Sequence, residues 1–133
     1  MIPPFNDSGF LPPGVHHATL AEIAERFGGP TELRRVQMDS VRWMIDLALR
    51  AGVQRIVLNG SFVTDIMEPN DVDCVLLIGP GFPTDADAEA ELSAGLPFLE
   101  MKLVGPADFE EYVNNIFGTD RRGVRKGMIE VIP

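Results

Sequence analysis

The sequence predicts an α/β (α+β) fold, a mixed β-sheet of about four strands backed by helices in a single domain. Three observations predict it. Segments with apolar residues at helical spacing alternate with short apolar runs of strand length. Glycine and proline punctuate the joins between them. A chain of 133 residues has room for one modest core and no second one. With 45% hydrophobic and 23% charged residues, that core can form, which excludes wholesale disorder.

Residues 1–15 carry Pro3, Pro4, Pro12 and Pro13 together with Gly9 and Gly14, so they form no regular helix. They also hold Ile2, Phe5, Phe10, Leu11 and Val15, which a solvated tail does not need. This stretch reads as an extended Pro-rich arm laid on the domain of residues 16–133 or on a partner. Thr19-Leu-Ala-Glu22 is a capping box and opens a helix that ends before Gly28-Gly29. A second helix starts near Pro30-Thr31, with Leu33, Val36, Val41, Met44, Leu47, Ala48 and Ala51 close to helical spacing, and Gly52 stops it. Arg55–Asn59 is a short buried strand. Asp71–Ile78 is a second strand, ended by Gly79-Pro80-Gly81. Thr84 to about Ala94 is a helix with a second capping box, Thr84 to Asp87. Phe98–Val104 is a third strand. Pro106–Phe117 is a helix whose apolar face holds Phe109, Tyr112, Val113, Ile116 and Phe117, closed by Gly118. Gly127–Ile132 is a last short strand. The order is α-α-β-turn-β-α-β-α-β.

Charge and cysteine content narrow the function classes. Twenty acidic residues against eleven basic ones give a net charge of −9. Such a chain repels polyphosphate overall, so nucleic acid is expected only as an acceptor and an anionic membrane surface not at all. The single cysteine, Cys74, permits no internal disulfide and no Cys-rich zinc site. No apolar run approaches the roughly 20 residues of a membrane span. Met1-Ile2-Pro3-Pro4 has no basic stretch followed by an apolar one, so the expectation is cytoplasmic.

The stretch that carries chemistry runs from Leu58 to Asp73. A strand enters Gly60-Ser61, a turn region follows with Pro69-Asn70 near its end, and Asp71 and Asp73 stand two residues apart at the start of the next strand. Alternation along a strand sends both carboxylates to one side, about 7 Å apart, and sends Val72 and Cys74 to the other. Neighbouring carboxylates repel and resist desolvation. A hard divalent cation such as Mg²⁺ relieves both, taking carboxylate and phosphate oxygens together. Gly60 lets the backbone turn tightly beside a ligand. Ser61 offers a hydroxyl and nearby amide groups to a phosphate.

Gly-Ser, then Asp-x-Asp about ten residues on, resembles the signature of the polymerase-beta-type nucleotidyltransferase superfamily, with its small prokaryotic, minimal members the nearest variety. The resemblance covers roughly residues 31–104. It implies that Gly60 and Ser61 grip a triphosphate and that Asp71 and Asp73 ligate Mg²⁺, with two ions possible. It also implies a third carboxylate on a neighbouring strand. Glu100 matches by position, where the family usually has Asp, and would hold metal or help deprotonate the acceptor. The implied activity is metal-dependent transfer of a nucleoside monophosphate from a nucleoside triphosphate to a hydroxyl of a protein or RNA acceptor, in a toxin–antitoxin or defence setting. Little chain follows the motif, so a protein partner or a homo-oligomer is expected to complete the pocket. The alternative is a catalytically inactive, antitoxin-like interaction or regulatory protein of the same fold, docking through its arm and acidic surface.

Plainer readings stand beside these. Asp71-Val-Asp73 also suits a solvated strand start after a Pro-Asn turn. Glu100 and Lys102 share a strand face and can form an exposed ion pair of little worth. Asp65 and Glu68 read as solvated turn residues. Arg121, Arg122, Arg125 and Lys126 form either a basic hairpin turn or a contact for phosphate or an acidic partner, and of these Lys126 is the nucleotide-binding candidate. His16-His17 reads as capping or solvent-exposed, Trp43 and the methionines as core or interface filler, and Cys74 as buried and inert.

Overall fold

In the computed structural model, which describes residues 1–133, the chain runs β1 (Gly14–Thr19), α1 (Leu20–Phe27), α2 (Glu32–Ala51), β2 (Arg55–Asn59), β3 (Val72–Leu77), α3 (Ala86–Ser93), β4 (Leu99–Val104), α4 (Pro106–Glu111) and β5 (Gly127–Ile132). The strands form one mixed sheet in the order β1-β5-β2-β3-β4. β1 lies parallel to β5 and β3 parallel to β4, while β2 is antiparallel to both its neighbours. The α/β class holds, with five strands rather than about four. The additional strand is β1, whose residues Gly14-Val-His-His-Ala-Thr19 pair along the free edge of β5 from Gly14↔Gly127 to Thr19↔Ile132. His16 and His17 therefore point to opposite faces of an edge strand.

Local chemistry sets the helix ends. Thr19 accepts from the Glu22 amide while Glu22 reaches back to the Thr19 amide, closing the capping box of α1. Thr31 caps α2 and Gly52, at φ 95°, ends it in the left-handed conformation. The capping box expected at Thr84 to Asp87 is not formed. Asp85 is the cap, accepting from the amides of Asp87 and Ala88, and the Thr84 hydroxyl instead donates to Arg50 O at 2.9 Å. Helix α4 also departs from expectation. After Glu111 it widens into a π turn over Tyr112–Ile116, with the Phe117 amide bonded to Tyr112 O at 2.7 Å. That turn buries Phe117 against Tyr112, ring centroids 5.5 Å apart, and leaves Ile116 half exposed.

Each face of the sheet has its own core. On one face, Ile56, Leu58, Cys74, Leu76, Ile129 and Val131 pack with Ile23 and Phe27 of α1, Val41, Met44 and Leu47 of α2, and Leu92 of α3. On the other, Val57, Val75, Leu77 and Met128 pack with Phe109 and Phe117. Burying each such side chain contributes about 1.5–3 kcal/mol before conformational entropy is counted. The arm joins the first core. Ile2 and Leu11 are buried, Phe5 lies 6.2 Å from Phe27, and the Arg26 guanidinium donates to Ile2 O and Pro3 O at 2.8 Å each. Trp43, read as core or interface filler, is 48% exposed on α2, on the side of the helix away from Val41 and Met44. No helix is long and apolar enough to cross a membrane.

Candidate active site

The second face of the sheet is apolar only where α4 covers it. Beyond α4 the register places three polar side chains in one row across three strands. Asn59 on β2 opposes Asp73 on β3, and Asp73 lies beside Glu100 on β4. Alternation puts Asp73 on the face of Val75 and Leu77, with Val72 and Cys74 in the opposite core. Asp71 is a correction to the expected pair. It precedes β3, which begins at Val72, because the chain is still leaving the Pro69-Asn70 turn. Strand alternation therefore does not place Asp71; the loop does.

That loop is held at both ends. Gly60 follows β2 at φ 85°, and a Cβ there would sit 2.8 Å from Asp73 Oδ2 and 3.2 Å from Asp71 O. Only glycine satisfies both the conformation and the approach. Ser61 begins a single 3₁₀ turn, Ser61–Val63, and its hydroxyl accepts from the Asn70 amide at 3.1 Å. Beneath the loop, Arg34 of α2 donates to Phe27 O, Phe62 O, Thr64 O and Ile66 O at 2.6–3.1 Å. Gln37 donates to Pro69 O at 2.8 Å and Asn70 O at 3.2 Å. One turn of α2 thus fixes the segment that presents Ser61, Asn70 and Asp71.

The opposite wall comes from the segment after α4. A hairpin turn pairs Thr119 with Arg125, and Asp120 Oδ1 accepts from the amides of Arg122 at 2.8 Å and Val124 at 2.9 Å. The Lys126 amide then bonds to Gly118 O at 3.0 Å, which turns Lys126 back over the row. The basic cluster is thus a hairpin turn, and of its four cations Arg121 and Lys126 line the cleft while Arg122 and Arg125 do not. The cleft measures about 410 Å³ and brings together Gly60, Ser61, Asp71, Asp73, Glu100 and Lys126. All six residues singled out in the sequence for nucleotide or metal therefore share one site. Asp65 and Glu68 lie outside it, exposed in the turn. Glu100 makes no ion pair with Lys102, and none of the three carboxylates Asp71, Asp73 and Glu100 is in an ion pair.

The electrostatics follow from this placement. Burial pushes the Asp73 carboxyl above its usual range, Glu100 beside it and Asp71 add to the rise, and Lys126 opposes it. Burial lowers the Lys126 ammonium, against the attraction of Asp73 and Asp120. Backbone amides, first that of Val124, hold Asp120 low. The buried Asn59, 4% exposed, lines the same cleft with its Oδ1 unpartnered. No three His, Cys, Asp or Glu side chains converge closely enough to enclose a metal ion by themselves. Mg²⁺ does not require that. It keeps waters and is held by one or two carboxylates with substrate phosphate. The all-oxygen donor set, the adjacent Asp73 and Glu100 carboxyls and the orphaned Asn59 oxygen fit such an ion, with Asp71, Asp73 and Glu100 as the groups that would hold it.

Several site residues escape sequence reading. Asn59 and Asn70 flank the motif and carry no charge to mark them. Asp120 adjoins the basic cluster and is not singled out by it. Arg34 leaves one trace, since positions 34, 37, 38, 41, 44, 45 and 48 share the buried side of α2 and Arg34 is a charged residue on that stripe.

The chain belongs to DUF6932, a family of unknown function, whose family model matches residues 3–132. Neither a curated protein nor a solved structure matches it.

Proposed function

We propose that the cleft binds a nucleoside triphosphate with Mg²⁺ and moves its nucleoside monophosphate to a hydroxyl of a protein or RNA acceptor. One observation carries this reading. Asp71, Asp73 and Glu100 line one cleft together with Ser61 and Lys126. Unpaired carboxylates in a half-buried cleft call for a cation, and the basic residues opposite call for an anion. A metal-bound polyphosphate supplies both. The ion would neutralise charge on the phosphates and on the leaving pyrophosphate. Ser61 and Lys126 orient the phosphates. Glu100, the exposed member of the row, accepts the proton from the attacking hydroxyl. The oxygen–phosphorus bond to the acceptor forms at the α-phosphorus as the bond to the bridging oxygen breaks and pyrophosphate leaves. Catalysis of this kind rests mainly on positioning and charge neutralisation. A protein or RNA acceptor in a toxin–antitoxin or defence pair, or a second copy of the chain, would complete the open side of the cleft.

The test is calorimetry of ATP, GTP, CTP and UTP with Mg²⁺, followed by transfer of α-labelled nucleotide to candidate acceptors. Metal-dependent binding that disappears in Asp71→Asn/Asp73→Asn supports the enzyme. No binding at millimolar nucleotide removes it and assigns the chain to docking through its arm and acidic surface.

A further inference from the structure

We infer that this cleft recognises the metal-bound polyphosphate and is indifferent to the base, so that all four nucleoside triphosphates are equivalent ligands; the inference rests on the nucleotide-binding reading above. The fixed polar groups are concentrated at one end. Asp73 and Glu100 are set by strand register. Ser61 is set by its bond from the Asn70 amide. Lys126 is anchored through its backbone to Gly118. Asn59 brings a buried, unpartnered side-chain oxygen to the same end. That atom needs a donor from a ligand, a bound water or a hydrated ion, since an orphaned buried acceptor is costly.

The other end holds few fixed groups that could discriminate among bases. Reading a base edge requires directional donors and acceptors held in place. Ile116 and Phe117 are the only apolar lining residues. The Phe117 ring is committed to Tyr112 and to the core beneath α4, which leaves the half-exposed Ile116 as the sole apolar surface available. A base resting on one aliphatic side chain gains contact whatever its identity, because every base presents the same kind of flat face. Of the polar groups nearby, Asp120 already accepts from two backbone amides and pairs with the Arg122 guanidinium at 3.7 Å, while Asn70, Thr119 and Arg121 are exposed.

The test is a competition assay on the full chain with Mg²⁺, using non-cleavable α,β-methylene analogues of ATP, GTP, CTP and UTP and inorganic tripolyphosphate as probes. Affinities for the four nucleotides are expected within about threefold of one another, and tripolyphosphate is expected to displace them within about tenfold of their affinity. Lys126→Gln is expected to weaken all five by about tenfold, and Ile116→Ala, at an exposed position, to weaken the four nucleotides equally and leave tripolyphosphate unchanged. One nucleotide binding more than tenfold tighter than the others overturns the inference while leaving the nucleotidyltransferase reading standing. So does failure of tripolyphosphate to compete. If no nucleotide binds with Mg²⁺, the underlying reading falls and the inference with it.

Discussion

Replacing Arg34 by methionine removes the guanidinium that ties α2 to the loop carrying Ser61 and Asp71, and keeps an apolar side chain of similar reach. Arg34 is 4% exposed and no carboxylate forms an ion pair with it. Burial draws the guanidinium down from its ordinary range and nearby Asp65 opposes this. Its charge is met mainly by carbonyl dipoles, through five hydrogen bonds to four oxygens. Those to Phe27 O, Phe62 O and Thr64 O, at 3.1, 2.9 and 2.7 Å, are fully buried. A buried acceptor stripped of its donor costs about 1–3 kcal/mol, so three cost about 3–9 kcal/mol. Removing a buried charge returns several kcal/mol of desolvation. The net expected loss is about 3 kcal/mol, a large fraction of the roughly 5–15 kcal/mol of a typical domain. Urea unfolding reads this as a fall in midpoint of about 1–3 M at an ordinary slope for a small protein. Arg34→Lys keeps the charge and loses the planar fork, so its loss is smaller than that of Arg34→Met. The folded Arg34→Met protein is also expected to bind Mg²⁺-nucleotide more weakly, because the turn that follows Ser61 loses its support at Phe62, Thr64 and Ile66. A midpoint for Arg34→Met equal to that of the wild type refutes the reasoning, since the loop would then be held by something else.

Gly60→Ala forces a side chain into the left-handed region and onto Asp73 Oδ2 at 2.8 Å. It is expected to cost about 1–3 kcal/mol and to abolish Mg²⁺-nucleotide binding, both checked by thermal unfolding and calorimetry. Asp85→Ala removes the cap of α3 and is expected to cost about 1 kcal/mol, against a smaller loss for Asp87→Ala; equal losses in denaturant unfolding would contradict the cap assignment. Glu130 is held below its ordinary value of 4.5, first by the hydrogen bond from Arg55 and further by the charges of Arg55 and His17, against its burial. Its carboxylate accepts from Arg55 Nε at 2.9 Å and Nη2 at 2.7 Å. A depressed carboxylate contributes stability that is present above its unfolded value and lost as pH falls through its folded value. Glu130→Gln is therefore expected to be less stable than wild type by about 1–3 kcal/mol at neutral pH. The gap should close as pH falls below 4.5; a gap unchanged at about pH 3 would count against the assignment.

The helices were legible because their signals are local. Thr19-x-x-Glu22, Thr31 and Gly52 act through bonds within a few residues, so the sequence alone places α1 and α2. The strands β2, β3 and β5 were legible as short apolar runs between breakers. The cap of α3 was misplaced by one residue because Thr84 and Asp85 are both good caps, and the choice fell to the bond from Thr84 to Arg50 O, which only packing of α3 on α2 makes available. The strand β1 was illegible for a related reason. Gly14–Thr19 has a weak apolar pattern, and what makes it a strand is the open edge of β5.

The sequence by itself determined the composition of the candidate site. Gly60, Ser61, Asp71 and Asp73 lie within one short stretch, where steric permissiveness and charge repulsion can be read from spacing. Only the tertiary structure decided their company. Glu100 stands beside Asp73 because β3 and β4 pair in parallel at that register, and a slip of one residue would turn it to the opposite face. Lys126 and Arg121 reach the cleft because α4 crosses the second face and its π turn and hairpin fold the chain back over the row. Arg34 became a support for the loop only when α2 packed beneath it. The Asp73–Glu100 pairing spans 27 positions, and the bonds from Arg34 to the loop span 28 to 32. Long-range pairing is decided by burying two apolar faces of one sheet at once, and no local window of the sequence contains that condition.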